Sequence, residues 1–521
     1  MKYIQNTGAA CSGFSSRFVV LFITAAFMFS CESSIPKKTS KPNVIIILAD
    51  DLGYADLGVY NKYSLVPTPN IDKLASQGIR FTDVYCPIAV CSPTRYALMT
   101  GTYPWRSWNK HGVMRNYERS MIDSSQLTLP QMFQKSGYIT VGFGKWHLGA
   151  KFPTLDGKKP KGFGTFYAAD NGANIDLSGE VSDGAVDHGF DHWLGFSCAS
   201  ECFVLKDKKI IGALEHDFYT VEQTPNKESI DMIPMDEYLP YITDASLRFL
   251  QDASNKKDKP FFLYYAPYVP HVPLSVSKSF LGSTQAGPYG DYVHELYFYV
   301  GELLKSLDSL QLTDNTIVLF ASDNGSAFRT SYNGMDASNA ANKLPGHFKD
   351  NTGKYMAPKD LSTLGEHSPN GILRGVKSTA WEGGVRTPLI ARWPGHFPAG
   401  KETDEMFALT DVMPTLASII EFKLDNGVTP DGKNLFSALR GEKENKRTSV
   451  VLQSGNNVFG LRQKNWKFIE LPQKDGESYY ELYNLSQDPS ETKNLAEEKP
   501  EILKKMKTDL DEILRGNSTT L

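Results

Sequence analysis

The sequence predicts an α/β fold: a large mixed, mostly parallel sheet flanked by helices, with a smaller C-terminal antiparallel sheet plus helix. Three observations predict it. Apolar runs of strand length, such as 44–49 and 316–321, carry no polar alternation, as in strands buried on both faces of a parallel sheet. Helical stretches fall between those runs, which is the alternation that builds parallel sheets. Each run also stops at a group able to bind a cation or an anion, and in such sheets ligands bind beyond the carboxyl ends of the strands.

The chain opens with Lys2 and Arg17 and no acid between them. An apolar run follows over 18–29, too short to span a bilayer stably, and Ser30 and Cys31 close it. Residues 1–40 therefore read as signal peptide and tether, with a lipoprotein-type signal over 1–30 and Cys31 as the residue to be lipidated. Met28 and Phe29 are bulkier than the residues usual before a lipidated cysteine, so plain signal cleavage is the alternative. The expectation is an exported protein, lipid-anchored in a bacterial envelope membrane or otherwise periplasmic or secreted.

The remainder divides into a catalytic domain over 41–446 and a C-terminal subdomain over 447–521. The first strand, 44–49, ends in Asp50 and Asp51, and a helix over 71–77 stops at Gly78. Cys91 sits at the mouth of a short helix with Pro93 at its start and Gly101 at its end. The positive end of that helix, with Arg95 one turn in, suits a tetrahedral oxyanion. Thr128 caps the next helix, Pro130 lies in its first turn and Gly137 stops it. The strand that follows, 138–143, leads to Lys145, Trp146 and His147. The run 261–265 ends shortly before His271. An amphipathic helix over 291–309 precedes the strand 316–321, which ends at Asp323 and Asn324. Beyond 446, runs at 448–452, 466–469 and 481–485 read as strands, and 497–515 as a charged terminal helix.

A formal net charge of -4 over 521 residues excludes a nucleic-acid partner held by bulk electrostatics, so an anionic substrate would need local cations. The six cysteines do not form a disulfide framework. Cys11 and Cys31 lie in the signal region and Cys91 in the motif. Cys86, Cys198 and Cys202 remain, with a 198–202 bridge left open.

Asp50, Asp51, Asp323 and Asn324 offer only oxygen donors, which select Ca²⁺ or Mg²⁺ over zinc; the asparagine oxygen favours the looser shell of Ca²⁺. Singly, each group has an ordinary reading. Two aspartates after a strand commonly cap a helix, Asp-Asn-Gly is a common turn, and a lone histidine is usually packing. Their shared position at strand ends argues that they converge.

The stretch 89–101, with Cys91, Pro93, Arg95 and Gly101, resembles the signature of the type I, formylglycine-dependent sulfatases of the alkaline phosphatase superfamily. The stretch 137–147 resembles their second signature, with Phe143 where a smaller or branched residue is expected. Arg374, Gly375 and Lys377, followed by Trp381, Glu382, Gly383, Gly384 and Arg386, resemble the segment bearing the family's second lysine. Pro270, His271 and Pro273 resemble its His-x-Pro element. The resemblance runs from about Lys41 to the C-terminus.

It implies an alkaline phosphatase-like fold and a sulfuric ester hydrolase. Cys91, oxidised to formylglycine by a maturation enzyme, would be both nucleophile and metal ligand beside Asp50, Asp51, Asp323 and Asn324. Arg95 would stabilise charge on the hydrated aldehyde, and His147 would act as its base. Lys145 and Lys377 would hold sulfate oxygens, and His271 with Lys377 would serve the leaving alcohol. Tyr297 stands where many relatives carry an aspartate, at a position read as structural.

Two long insertions, 150–203 and 326–370, are rich in Gly, Asn, Asp and Lys and are expected to wall the substrate pocket. His188 and His367 are the candidate sugar-binding residues there, with Asp191, Trp193 and Asn370. The expected substrate is a sulfated polysaccharide or its oligosaccharides. The competing readings are a phosphodiesterase or phosphonate hydrolase of the same superfamily, and a non-catalytic glycan-binding lipoprotein.

Overall fold

Residues Val44 to Leu48 are all β-branched or leucine, so the strand they form, β1 (Asn43–Ala49), has no face that tolerates water, and every residue in it is buried. The computed structural model describes residues 41–166, 168, 170–197, 203–215, 227–256, 258–328, 367–472 and 478–516. Cys11, Cys31, Cys198 and Cys202, and with them the signal, the lipidation site and the 198–202 bridge, lie outside the described residues, as do 329–366 of the second insertion.

The strands that follow are β2 (Ile79–Phe81), β3 (Val84–Tyr85), β4 (Ile139–Lys145), β5 (His192–Phe196), β6 (Phe203–Lys206), β7 (Lys209–Glu215) and β8 (Asp231–Pro234). After them come β9 (Phe261–Ala266), β10 (Thr316–Ser322), β11 (Leu389–Arg392), β12 (Lys401–Thr403) and β13 (Phe407–Ala408). An eleven-stranded sheet runs in the order β12-β2-β11-β10-β1-β9-β4-β5-β6-β7-β8. Its centre, β10-β1-β9-β4-β5, is parallel throughout, and antiparallel pairs flank it at β10–β11 and β5–β6. The carboxyl ends of four of these central strands therefore open on one side, where Asp50, Lys145, His271 and Asp323 follow or end them.

Helices cover both faces. Thr128 caps the helix α3 (Leu129–Lys135): its Oγ1 accepts from Gln131 N at 3.2 Å while the Gln131 side chain bonds back, a capping box contributing about 1 kcal/mol. The helix α1 spans Pro69–Ser76 and α4 spans Gly287–Ser309; each begins earlier than its apolar periodicity indicates because a proline in the first turn starts it. The helix that begins at Cys91, α2 (Cys91–Thr100), is buried along its whole length and ends at Gly101 in the left-handed region, φ 62°. Among the described residues no helix is long and apolar enough to cross a membrane.

The first insertion is not only loop. It contributes β5 and leads into β6, a correction to the expectation of a structureless wall. The strand was hidden because Gly195 stands within it. A Cβ there would fall 1.8 Å from the Gly144 carbonyl oxygen, so backbone contact has replaced the side-chain pattern. Beyond the main sheet, β14 (Ser449–Gln453), β15 (Phe459–Gln463), β16 (Trp466–Pro472) and β17 (Ser478–Asn484) form an antiparallel sheet in sequence order. The terminal helix over Pro500–Arg515 packs Met506, Leu510 and Ile513 against Val451, Leu461, Phe468 and Leu482 of that sheet. It begins three residues later than the charge pattern suggests, at a proline.

Candidate active site

The site is built where β1, β4, β9 and β10 end. Asp51 adopts φ 64°, a left-handed turn that sets its carboxylate apart from that of Asp50. Asp50 Oδ2 accepts from Lys145 Nζ at 2.6 Å, and Asp50 Oδ1 is buried with no hydrogen-bond partner. Asp51 Oδ2 accepts from Lys377 Nζ at 2.7 Å and Asp51 Oδ1 from Asn324 Nδ2 at 2.7 Å. Asp323 takes Arg95 through Nε at 3.1 Å and Nη2 at 2.8 Å, and its other oxygen accepts from Asp51 N at 3.2 Å.

Cys91 Sγ lies 3.8 Å from Asp51 Oδ1 and 3.3 Å from Lys377 Nζ. His271 Nε2 is 3.7 Å from Asp51 Oδ2, while its Nδ1 faces the Val272 carbonyl at 2.6 Å. His147, at φ 56°, places Nε2 3.2 Å from the Met114 carbonyl, and its Nδ1 is buried without a partner. The fold thus brings Cys91, Arg95, Lys145, His271 and Lys377 into one contact network with Asp50, Asp51, Asp323 and Asn324, and sets His147 beside it, two residues beyond Lys145.

Burial and charge set the state of each group. Burial would raise the Asp50 carboxyl, but Lys145, His271, Arg95 and Lys377 outweigh it and hold it well below the usual carboxylate range. Burial and the adjacent Asp50 carboxylate push Asp323 up to about 7. The Cys91 thiol is driven well above its ordinary value by burial, against the pull of Lys145 and Lys377, so an unmodified Cys91 is no thiolate. Burial followed by Lys145 lowers His147, and burial followed by Lys377 lowers His271, leaving both imidazoles neutral. Burial opposes charge on Lys377, yet Asp51, Cys91 and Asp50 together outweigh it and keep the ammonium protonated.

The donor set fits a hard cation. Asp50 Oδ1 and Asn324 Oδ1 are acceptor oxygens buried without a donor, the condition a cation would relieve. Among the described residues, Asp50, Asp51, Cys91 and His271 can each bring a ligand atom within 4.8 Å of the others, a cluster that could hold a metal ion.

His188 and His367 are placed otherwise than expected. His367 is buried, with Nε2 2.7 Å from Asp56 Oδ1, and Tyr289 Oη donates to the other oxygen of that carboxylate at 2.6 Å. His188 is buried between Ser120 Oγ at 2.9 Å and Asp183 Oδ1 at 3.1 Å, and it stacks on Trp146. Asp191 is spent on Thr140 N at 2.9 Å and Gln134 at 2.7 Å, Trp193 is buried beside Trp146, and Asn370 holds Ser326 N at 3.1 Å. All five brace the fold around the site. Phe143 packs toward Phe249, and Tyr297 is buried with its carbonyl on Asn70, so both departures from the family pattern lie outside the site.

Two contributors escaped the sequence. Tyr264 Oη accepts from Arg95 Nη1 at 3.1 Å, and the Tyr268 ring lies under Lys145 at 5.0 Å and against His271 at 4.5 Å. Both read as apolar strand or loop residues; Tyr264 lies within β9, paired with β1, and Tyr268 just beyond its end, and that position is the signal that would have found them.

A family model described as Sulfatase matches residues 42–421, and one described as N-sulphoglucosamine sulphohydrolase, C-terminal, matches 376–516. The chain is 30% identical to an N-acetylgalactosamine-6-O-sulfatase of Bacteroides thetaiotaomicron, over 96% of this chain and 99% of that one. It is 30% identical to arylsulfatase A of Homo sapiens, over 89% of this chain and 86% of that one. A solved structure titled for the metabolism of multiple glycosaminoglycans by Bacteroides thetaiotaomicron superposes with a TM-score of 0.74 at 28% identity, covering 91% of this chain and 99% of that one. These matches favour a sulfatase over a phosphodiesterase or a non-catalytic glycan binder. The chain belongs to the sulfatase family and is a sulfuric ester hydrolase.

Proposed function

We propose that this protein removes sulfate esters from the sugars of a sulfated polysaccharide or its oligosaccharides, with N-acetylgalactosamine 6-sulfate the first substrate to test. The carrying observation is the setting of Cys91, in contact with Lys377 and Asp51 and within one network with Arg95, Lys145 and His271. The likeness over nearly the whole chain to an N-acetylgalactosamine-6-O-sulfatase supports the choice of sugar.

Asp50, Asp51, Asp323, Asn324 and the residue-91 side chain would hold Ca²⁺ in preference to Mg²⁺, the ion supplying positive charge for the sulfate and formylglycine at position 91 supplying, once hydrated, an oxygen nucleophile. The neutral, buried thiol of the unmodified residue supports a precursor role for Cys91. Arg95 balances negative charge from the mouth of α2. His147, neutral and with a free Nδ1, takes the proton that residue 91 must lose. Lys145 and Lys377 bind sulfate oxygens, exchanging Asp50 and Asp51 for the substrate anion. An anionic sulfate beside His271 raises its proton affinity, and with Lys377 it serves the departing alcohol oxygen.

The proposal includes a catalytic domain over 41–446, a C-terminal subdomain over 447–521, export by the 1–30 signal and a lipid anchor at Cys31. Cys91 then requires a formylglycine-generating maturation enzyme. Sulfate release is measured on N-acetylgalactosamine 6-sulfate, N-acetylgalactosamine 4-sulfate and N-acetylglucosamine 6-sulfate, and phenol release on an aryl phosphodiester. Fastest turnover of the first is expected, and faster phosphodiester turnover overturns the proposal.

A further inference from the structure

Lys377 does not stand on a strand or helix. It belongs to a folded loop, 374–386, that ends in the single helical turn Glu382–Val385 and whose base is closed by Gly383 N donating to the Arg374 carbonyl at 2.7 Å. Within the loop the backbone is packed against itself: a Cβ at Gly383 would meet the Gly375 oxygen at 2.3 Å and one at Gly384 the Thr379 oxygen at 2.3 Å. The loop is therefore packed as one unit, and what anchors its base sets the height of Lys377.

That anchor comes from the C-terminal sheet. Lys467, on β16, is fully buried and places Nζ 2.9 Å from Glu382 Oε1 and 2.9 Å from Glu491 Oε1. Both carboxylates are buried with it. Glu491 Oε2 accepts from the Glu382 backbone N at 2.7 Å, so one carboxylate holds the loop's main chain while the ammonium holds its side chain. Arg386 and Tyr85 complete Glu382 at 3.1 and 3.2 Å. A second attachment runs through Arg374, which donates to Tyr483 Oη at 2.8 Å and stacks over Trp381 at 4.2 Å; Trp381 Nε1 donates to Glu481 Oε2 at 2.7 Å.

A single buried cation between two buried carboxylates is an expensive way to fill a core, and an apolar trio of equal volume would fill it without that cost. Its hydrogen bond to Glu382 offers what an apolar contact does not: a fixed distance between β16 and the loop. We propose that Lys467 is a positioning residue of the sulfatase reaction, holding the 374–386 loop where the Lys377 ammonium reaches the residue-91 side chain. This rests on the reading of Lys377 as a catalytic cation given above.

The test is a double-mutant cycle on the mature enzyme with N-acetylgalactosamine 6-sulfate, each rate normalised to the formylglycine content of the Cys91 peptide by mass spectrometry. Lys467→Met is expected to lower kcat roughly 10- to 100-fold, with a smaller change in KM, as misplacement of a reacting group does. In a Lys377→Ala background the same substitution should cost less than about threefold further, because the group being positioned is gone. Equal losses in both backgrounds, or a wild-type kcat in Lys467→Met, overturn the proposal. Should Lys467→Met not fold, the same cycle with Glu491→Gln, which keeps the shape and replaces the carboxylate, is decided by the same two outcomes. Full activity in Lys377→Ala alone would instead overturn the role of Lys377, and the positioning role with it.

Discussion

Lys377 Nζ lies 3.3 Å from Cys91 Sγ and 2.7 Å from Asp51 Oδ2, so one ammonium bridges the precursor of the nucleophile and a carboxylate of the cation cluster. Asp51, with Cys91 and Asp50, keeps that ammonium charged against the pull of burial. A lysine held in this state is a fixed positive charge and a donor; it is not a base.

This gives the first prediction. Lys377→Ala should lower kcat/KM for a sugar sulfate by roughly 10²- to 10³-fold, the size of loss seen when a donor to developing charge is removed. An aryl sulfate whose phenolate leaves easily should lose less. Measuring both substrates separates a role at the leaving oxygen from general damage, which would depress the two equally.

Cys91→Ala should abolish turnover while leaving the fold standing. Residue 91 is fully buried, and an alanine removes only a sulfur atom from its surroundings, a loss of about 1 kcal/mol by the area it buried. Circular dichroism and the melting temperature check the fold. Mass spectrometry of the Cys91 peptide in the active wild type should show the aldehyde or its hydrate; a fully active preparation carrying only thiol would contradict the precursor reading.

The carboxyl-end cluster was legible in the sequence because its residues follow unbroken apolar runs, and a strand buried on both faces can end only where polar residues begin. Asp50 after β1 and Asp323 after β10 are of this kind. The burial of His188 and His367 was not legible for the converse reason: an imidazole inside a Gly-rich insertion looks exposed until its partners, Ser120 and Asp56, are known, and both lie more than 60 residues away in the chain. Lys467 was illegible for the same reason. In the run Trp466-Lys467-Phe468 it reads as the solvent-facing member, and only the packing of β16 on the 374–386 loop reveals two carboxylates waiting for it.

Chelation of divalent cations should lower both activity and melting temperature. Asp50, Asp51 and Asp323 are three carboxylates buried together, and a bound cation would stabilise the folded state by about 2.7 kcal/mol at a hundredfold excess over its Kd. Differential scanning fluorimetry after treatment with a chelator, then with Ca²⁺ or Mg²⁺ restored separately, measures the effect. Recovery should be larger with Ca²⁺. Recovery by Mg²⁺ alone would reverse the preference, and no change on chelation would count against a cation in the site.

The last prediction concerns acid stability away from the catalytic groups. Burial lowers the His188 imidazole below its ordinary value of 6.5, with Asp183 only partly opposing. In the unfolded chain His188 takes up a proton near 6.5, whereas in the folded protein it does so only at lower pH. The unfolded state therefore binds more protons in that window, and stability present above 6.5 is lost as pH falls toward the folded value. His188→Gln cannot titrate and can still bond Ser120. Its melting temperature should be lower than wild type at pH 7.5, since it gives up the stacking on Trp146. It should then fall less steeply than wild type between pH 6.5 and 5. Parallel melting curves for the two proteins across that range would show that the acid sensitivity lies elsewhere.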